Sequence, residues 1–333
     1  MMADPLRSPT SPAAESAVRH GIEVRGLTKS FGTTQVLKGI DFAVESGTAV
    51  ALLGPNGAGK TTTMRILATL LRPDGGHALV GGHDVATEVV QARSVLGLTG
   101  QETSVDGLLT GRENLVMIGR LSRMSTKVAK GRADELLDLM DLQGAADRQV
   151  KTYSGGMRRR LDLAASLVAT PPIMLLDEPT TGLDPLARQK VWDAIRTLME
   201  QGRTVLLTTQ YLAEADLLAD RIVLMDDGEV VAEGTPKSLK SQVGSERAEL
   251  TFADSQQITA AAALLAADDP IIEMTDATLS LAIDDPWQLQ SILDRLHSVD
   301  LKPRGITVTQ PTLDDVFIAV TGAQRSSRGS VVR

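Results

Sequence analysis

Gly54-Pro55-Asn56-Gly57-Ala58-Gly59-Lys60-Thr61 is the stretch on which the reading of this 333-residue chain turns. It has the spacing G-x-x-x-x-G-K-[ST], in which glycines let backbone N–H groups close on phosphate, a lysine meets the outer phosphates and a hydroxyl meets Mg²⁺. The apolar run Ala49-Val50-Ala51-Leu52-Leu53 precedes it, and a helix-like stretch from Thr61 to Leu71 follows through Thr62. The expected order is therefore strand, phosphate loop, helix N-terminus. A second run, Ile173-Met174-Leu175-Leu176-Asp177-Glu178, reads as a buried strand ending in two carboxylates. Downstream of a phosphate loop, Asp177 suits Mg²⁺, with Thr61 as a further metal ligand, and Glu178 suits the group that orients or deprotonates water.

A third run, Tyr153-Ser154-Gly155-Gly156-Met157, opens a periodic segment that continues to Ala169. Ser154 reads as a helix N-cap, and the same helix start is also an anion site. It lies about ninety residues beyond the phosphate loop, so one nucleotide uses both helix starts only if they come from different copies or from different folding of one chain.

The three runs in this order resemble the ATP-binding-cassette family. The resemblance implies ATP and Mg²⁺ as cofactors and an α/β P-loop fold with an antiparallel β edge and a helical subdomain. It also implies a head-to-tail homodimer in which Ser154, Gly155 and Gly156 of one copy close over the γ-phosphate held by residues 54–62 of the other. By the same resemblance Phe31, in Lys29-Ser30-Phe31-Gly32, stacks on adenine. Gln101, after Val95-Leu96-Gly97-Leu98, coordinates Mg²⁺ and senses the membrane partner, and Thr180-Thr181-Gly182-Leu183-Asp184 crosses the dimer interface. From the residues themselves Phe31 reads also as a core contact, and Asp184-Pro185 also as N-cap and first helical residue.

One position departs from the family pattern. Where most cassettes carry histidine after the strand Thr204 to Thr208, this chain reads Thr209-Gln210-Tyr211-Leu212. A glutamine amide donates to a phosphate oxygen and its carbonyl accepts from water, but it does not titrate near neutrality. The catalytic weight therefore shifts to Glu178. Gln210 in this setting resembles the daunorubicin-resistance branch of export ATPases, which implies efflux of a hydrophobic drug or lipid through a separate membrane permease at the cytoplasmic face of the cell membrane. Cassette ATPases of translation or DNA repair usually carry paired cassettes or long insertions, which this sequence lacks. A regulatory module that binds ATP without turnover sits poorly with the intact pair Asp177-Glu178.

Composition agrees. A formal charge of −8 argues against nucleic acid as a partner, and the absence of cysteine fits a reducing compartment without proving one. No run reaches the ~20 apolar residues of a membrane span, since the nearest, Leu163 to Leu176, is broken by Pro171-Pro172. Contact with a membrane is thus expected only through a partner. The organisation reads as a tail over 1–20, rich in proline and small polar residues, then a cassette over 21–243 with its helical part at about 105–170. A small α+β module follows over 244–322, with a basic tail over 323–333. The module's alternation predicts βαββαβ, a ferredoxin-like order, and then a helix from Thr312 to Val320. Its segment Pro311 to Phe317 resembles the carboxyl-terminal assembly segment of the drug-export branch, and reads equally as a plain amphipathic helix.

Overall fold

The computed structural model describes residues 20–100, 105–243, 246–265, 271–275, 278–283 and 286–320. Apart from His20, the tails expected at 1–20 and 323–333 lie outside these residues. The chain divides into two compact units between Thr235 and Pro236.

The first unit holds two sheets. Its central sheet has the order β10-β9-β3-β8-β7-β6, built from β3 (Ala49–Leu53), β6 (Leu96–Thr99), β7 (Ile173–Asp177), β8 (Thr204–Thr209), β9 (Arg221–Asp226) and β10 (Glu229–Gly234). All neighbours are parallel except β10, which returns antiparallel beside β9. Every residue of β3, β7 and β8 is buried. Parallel strands are covered on both faces, which is why these segments read as unbroken apolar runs rather than as alternation. The β9–β10 turn at Asp227-Gly228 has φ of 46° and 79°, the left-handed pair that a two-residue hairpin of type I′ requires.

The expected antiparallel β edge takes two forms. β10 borders the central sheet itself, and the N-terminal strands form a hairpin in a separate sheet of order β2-β1-β4-β5. These strands are β1 (His20–Phe31), β2 (Thr34–Glu45), β4 (Gly75–Val80) and β5 (His83–Asp84). Only Ile22 to Val24 and Ile40 to Val44 are conspicuous in the sequence, because one face of the hairpin is exposed and carries charge among its apolar positions.

Helix α1 (Lys60–Leu67) follows the phosphate loop, and α2 (Val89–Ser94) precedes β6. The helical part comprises α3 (Gly111–Leu121), α4 (Thr126–Leu139) and α5 (Gly155–Leu167), with Leu115, Ala133, Leu136 and Leu163 buried. The expected capping box is present: Glu113 N–H donates to Thr110 Oγ1 at 3.1 Å and Thr110 N–H donates to the Glu113 carboxylate at 2.8 Å. Helices α6 (Pro185–Glu200) and α7 (Leu212–Leu218) complete the unit.

The second unit opens with α8 (Pro236–Ser241). Four antiparallel strands, β11 (Glu246–Thr251), β12 (Ile271–Met274), β13 (Thr278–Ile283) and β14 (Gly305–Thr309), take the order β12-β13-β11-β14. Ala248, Leu250, Leu279 and Leu281 of the sheet bury against Ile258, Ala261 and Leu265 of α9 (Ser255–Leu265) and Ile292 and Leu296 of α10 (Pro286–Ser298). A last helix spans 313–320.

Because each unit has its own apolar core, Leu250→Ala should destabilise the second unit by about 2–5 kcal/mol. Hydrogen exchange should then quicken at the β11 and β13 amides while those of β7 keep their protection. Equal acceleration in both sheets would show one shared cooperative unit.

Candidate functional site

Four adjacent parallel strands deliver their carboxyl ends to one edge of the central sheet. β3 runs into the phosphate loop at Gly54, β8 into Gln210, β7 ends at Asp177 with Glu178 next, and β6 leads to Gly100. The registers pair Leu53 with Thr209, Asp177 with Thr208 and Thr99 with Leu176, so these ends are level. That edge is where open α/β sheets bind ligands.

The loop needs its glycines at two points in particular. A Cβ on Gly54 would lie 2.1 Å from the Met225 carbonyl oxygen of β9, and Gly59 caps α1 at φ 102°. Lys60, 4% exposed, donates from Nζ to the carbonyl oxygens of Gly54 at 2.7 Å and Pro55 at 2.9 Å. Burial lowers its pKa, and the negative charges of Glu178 and Asp177 oppose that shift.

Asp177 Oδ1 accepts two hydroxyls, from Thr208 at 2.6 Å and from Thr61 at 3.3 Å. Glu178 follows in the left-handed region, φ 48°, with its N–H donated to Thr208 Oγ1 at 2.9 Å and its carboxylate accepting from Thr181 Oγ1 at 3.0 Å. A cavity of about 250 Å³ is bounded by Asn56, Gly57, Lys60, Thr61, Thr62 and Glu178 among others. A buried lysine bounding the cavity together with a hydroxyl–carboxylate pair suits a polyphosphate chelated to Mg²⁺. That ion usually takes one or two protein oxygens and completes its shell with phosphate and water. Among the described residues no group of three or more His, Asp or Glu forms an alternative cation cage.

The remaining candidates divide. Ser154 caps α5, its Oγ accepting Met157 N–H at 3.2 Å, and Ser154 and Gly155 are exposed and not among the residues that bound the cavity. Asp184 caps α6 through Ala187 N–H at 2.9 Å and is also exposed. Phe31 is 50% exposed at the tip of the β1–β2 hairpin, with Lys29 Nζ 5.7 Å from its ring centroid, so the core-contact reading is set aside. Gln210 is partly buried. Gln101 lies outside the described residues.

Sequence reasoning missed Thr208, the hydroxyl that binds both Asp177 and Glu178, although a threonine in a wholly buried strand announces a need for a partner. It also missed Glu214, which is fully buried and accepts Thr180 Oγ1 at 2.8 Å and Trp192 Nε1 at 2.9 Å, tying the loop after Glu178 to α6 and α7. No helix of the described residues is long and apolar enough to cross a membrane.

Comparison with known proteins agrees with this arrangement. Residues 37–181 match the family described as ABC transporter, and residues 234–321 match the C-terminal domain of DrrA1-3-like ATP-binding proteins. The daunorubicin/doxorubicin resistance ATP-binding protein DrrA of Streptomyces peucetius is 51% identical over 312 residues, covering 93% of this chain and 94% of the relative. The Nod factor export ATP-binding protein I of Rhizobium meliloti is 37% identical over 314 residues, covering 94% and 91% respectively. Among solved structures, a dimeric ATP-binding cassette in a post-hydrolysis state, bound to ADP and Pi, is similar with a TM-score of 0.60 and 28% identity. It covers 64% of this chain and 98% of its own.

The lowered pKa of Lys60 has a sign that can be checked. Between its folded and ordinary values the unfolded chain holds the extra proton, so stability of the nucleotide-free protein rises with pH across that interval. Denaturant unfolding measured as pH is raised toward the ordinary lysine value of about 10.4 should show this rise in the parent and a smaller one in Lys60→Met. Equal slopes would mean that Lys60 is not desolvated.

Proposed function

This chain belongs to the ABC transporter family, close to the DrrA-type drug-resistance proteins, and we propose that it is the ATP-hydrolysing subunit of an exporter that moves a hydrophobic drug or lipid through a separate membrane permease. The observation that carries the catalytic part is the meeting of Lys60, Thr61, Asp177 and Glu178 at the strand ends.

In this reading the loop 54–62 binds the phosphates with Lys60 as its cation. Thr61 and Asp177 hold Mg²⁺, with Gln101 as a further ligand. When bound, the Mg²⁺-nucleotide supplies the phosphoryl group to be transferred and neutralises part of its charge. Glu178 accepts the proton of the attacking water and Gln210 orients water and phosphate through its amide. Two copies pair head to tail, Ser154, Gly155 and Gly156 closing each site from across the interface and Asp184 lying in the crossing loop. The exposure of Ser154, Gly155 and Asp184, and the dimeric state of the similar cassette, support this pairing. Exposed Phe31 serves as the adenine platform.

The catalytic module in this reading spans 21–243 with its helical part at about 105–170, and the accessory module spans 244–322. The division between Thr235 and Pro236 and the second family match at 234–321 favour moving the boundary from 243 back to about 235, which transfers α8 to the accessory module. We read that module as ferredoxin-like, since its strand order β12-β13-β11-β14 and antiparallel pairing suit a βαββαβ chain, and we assign the segment 311–317 to subunit assembly. Peripheral attachment at the cytoplasmic face, through the permease, fits the lack of a spanning helix among the described residues.

Glu178→Gln should keep ATP affinity within about threefold and cut turnover by about a hundredfold or more, because an amide holds water but cannot take its proton. Hydrolysis near the parental rate would remove Glu178 as base. Gln210→His should stay active, and the ratio of its rate to the parent's should change across about pH 6 to 8.5, through the imidazole titration. A flat ratio would take Gln210 out of the site.

A further inference from the structure

The guanidinium of Arg159 spends its donors on main-chain carbonyls alone. Nε donates to Pro179 O at 3.0 Å, Nη2 to Asp177 O at 2.8 Å and Glu178 O at 2.9 Å, and Nη1 to Gly100 O beyond β6. Its side chain is 11% exposed, and the nearest carboxylate, buried Asp162, is 3.9 Å away.

Successive carbonyls in a strand point in opposite directions, so three in a row do not ordinarily meet one cation. Here they do, because Glu178 turns left-handed at φ 48° immediately after β7. The turn and the guanidinium therefore specify each other. An arginine presents five N–H donors in a fixed planar fork, whereas lysine offers one compact charge that cannot span carbonyls from three successive residues and a separate strand end. Glu178, carried on this turn, bounds the cavity together with Lys60. Arg159 itself stands on α5, five residues after the exposed cap Ser154.

We infer that Arg159 is a positioning residue for hydrolysis. Its fork fixes the main chain of Glu178 in the turn that brings this residue to the cavity wall, and couples that turn to the helix Ser154 begins. The inference rests on Glu178 being the proton acceptor. Nothing in the sequence pattern of the phosphate loop, the acidic pair or the Ser-Gly-Gly run calls for a cation at this place, and the four carbonyls come from segments 18 to 59 residues distant.

The test compares Arg159→Lys and Arg159→Met, each with and without Glu178→Gln, by equilibrium ATP binding, steady-state hydrolysis and single-turnover hydrolysis. Arg159→Met should lower kcat about tenfold to a hundredfold, with ATP affinity held within about threefold, and Arg159→Lys should restore part of the loss. In the Glu178→Gln background Arg159→Met should slow the residual single-turnover rate by less than about twofold, since two residues acting through one carboxylate are not additive. If Arg159→Met does not fold, Arg159→Lys is read by the same cycle, because it keeps the buried charge and removes only the fork. Full kcat in Arg159→Lys, equal slowing in both backgrounds, or a loss that tracks ATP affinity overturns the inference and leaves Arg159 a packing residue. Parental hydrolysis by Glu178→Gln alone would overturn the base assignment, and with it this coupling.

Discussion

One oxygen of Asp177 accepts hydroxyls from two different elements, Thr208 of β8 and Thr61 of α1, and the remainder of the site depends on that convergence. A carboxylate at the end of a fully buried strand is costly unless its lone pairs are taken and a cation stands near. Thr208 meets the first need from the neighbouring strand, because the parallel register puts it opposite Asp177. Lys60 meets the second, since Asp177 and Glu178 are the charges that oppose its desolvation. The same Thr208 hydroxyl receives the N–H of Glu178, so the metal-binding candidate and the base candidate are fixed by one side chain.

This shared anchoring also explains how a site built largely from loops stays ordered. Lys60 folds back on the carbonyls of its own loop, and Glu178 is held through its N–H, its carbonyl and its carboxylate by Thr208, Arg159 and Thr181. Donors and charges that are already oriented need little rearrangement when charge moves during reaction, which is the physical basis of electrostatic preorganisation. A left-handed non-glycine residue at this point costs roughly 1–2 kcal/mol. Hydrogen bonds on both sides of it are what offset that cost.

What could be read in the sequence was local. The phosphate loop, the buried strand before Asp177, the Thr110–Glu113 box and every strand and helix of the second unit's alternation are marked by spacing within a few residues, and the structure contains each of them. The N-terminal hairpin was only half legible, because Glu23, Arg25, Lys29 and Lys38 interrupt the apolar pattern on strands with an exposed face. Its place in a separate sheet is a property of pairing between β1 and β4, which no local pattern encodes. Thr208, Glu214 and Arg159 act on partners 18 to 59 residues away, and their residue types are unremarkable on a strand or a helix. The unit boundary at Thr235 precedes the change in pattern near 244 because α8 is short and carries no contrast in composition.

The departure at Gln210 is easier to understand from strand register than from residue type. Thr209 pairs with Leu53 on one side of β8, and Thr208 pairs with Asp177 on the other, so Gln210 leaves the sheet between Gly54 and Glu178. Its main chain therefore follows directly on the strand that lies between the phosphate-loop strand and the strand of the acidic pair. An imidazole in that position adds a group that titrates near neutrality, whereas an amide adds two donors and an acceptor whose charge does not change with pH. In the proposed mechanism proton acceptance then falls to Glu178, whose N–H and carbonyl are both hydrogen-bonded to side chains. In that mechanism positioning by Gln210 and proton acceptance by Glu178 are separate tasks at neighbouring strand ends, and Thr208, two residues before Gln210, ties its own strand to Asp177 and to the Glu178 N–H.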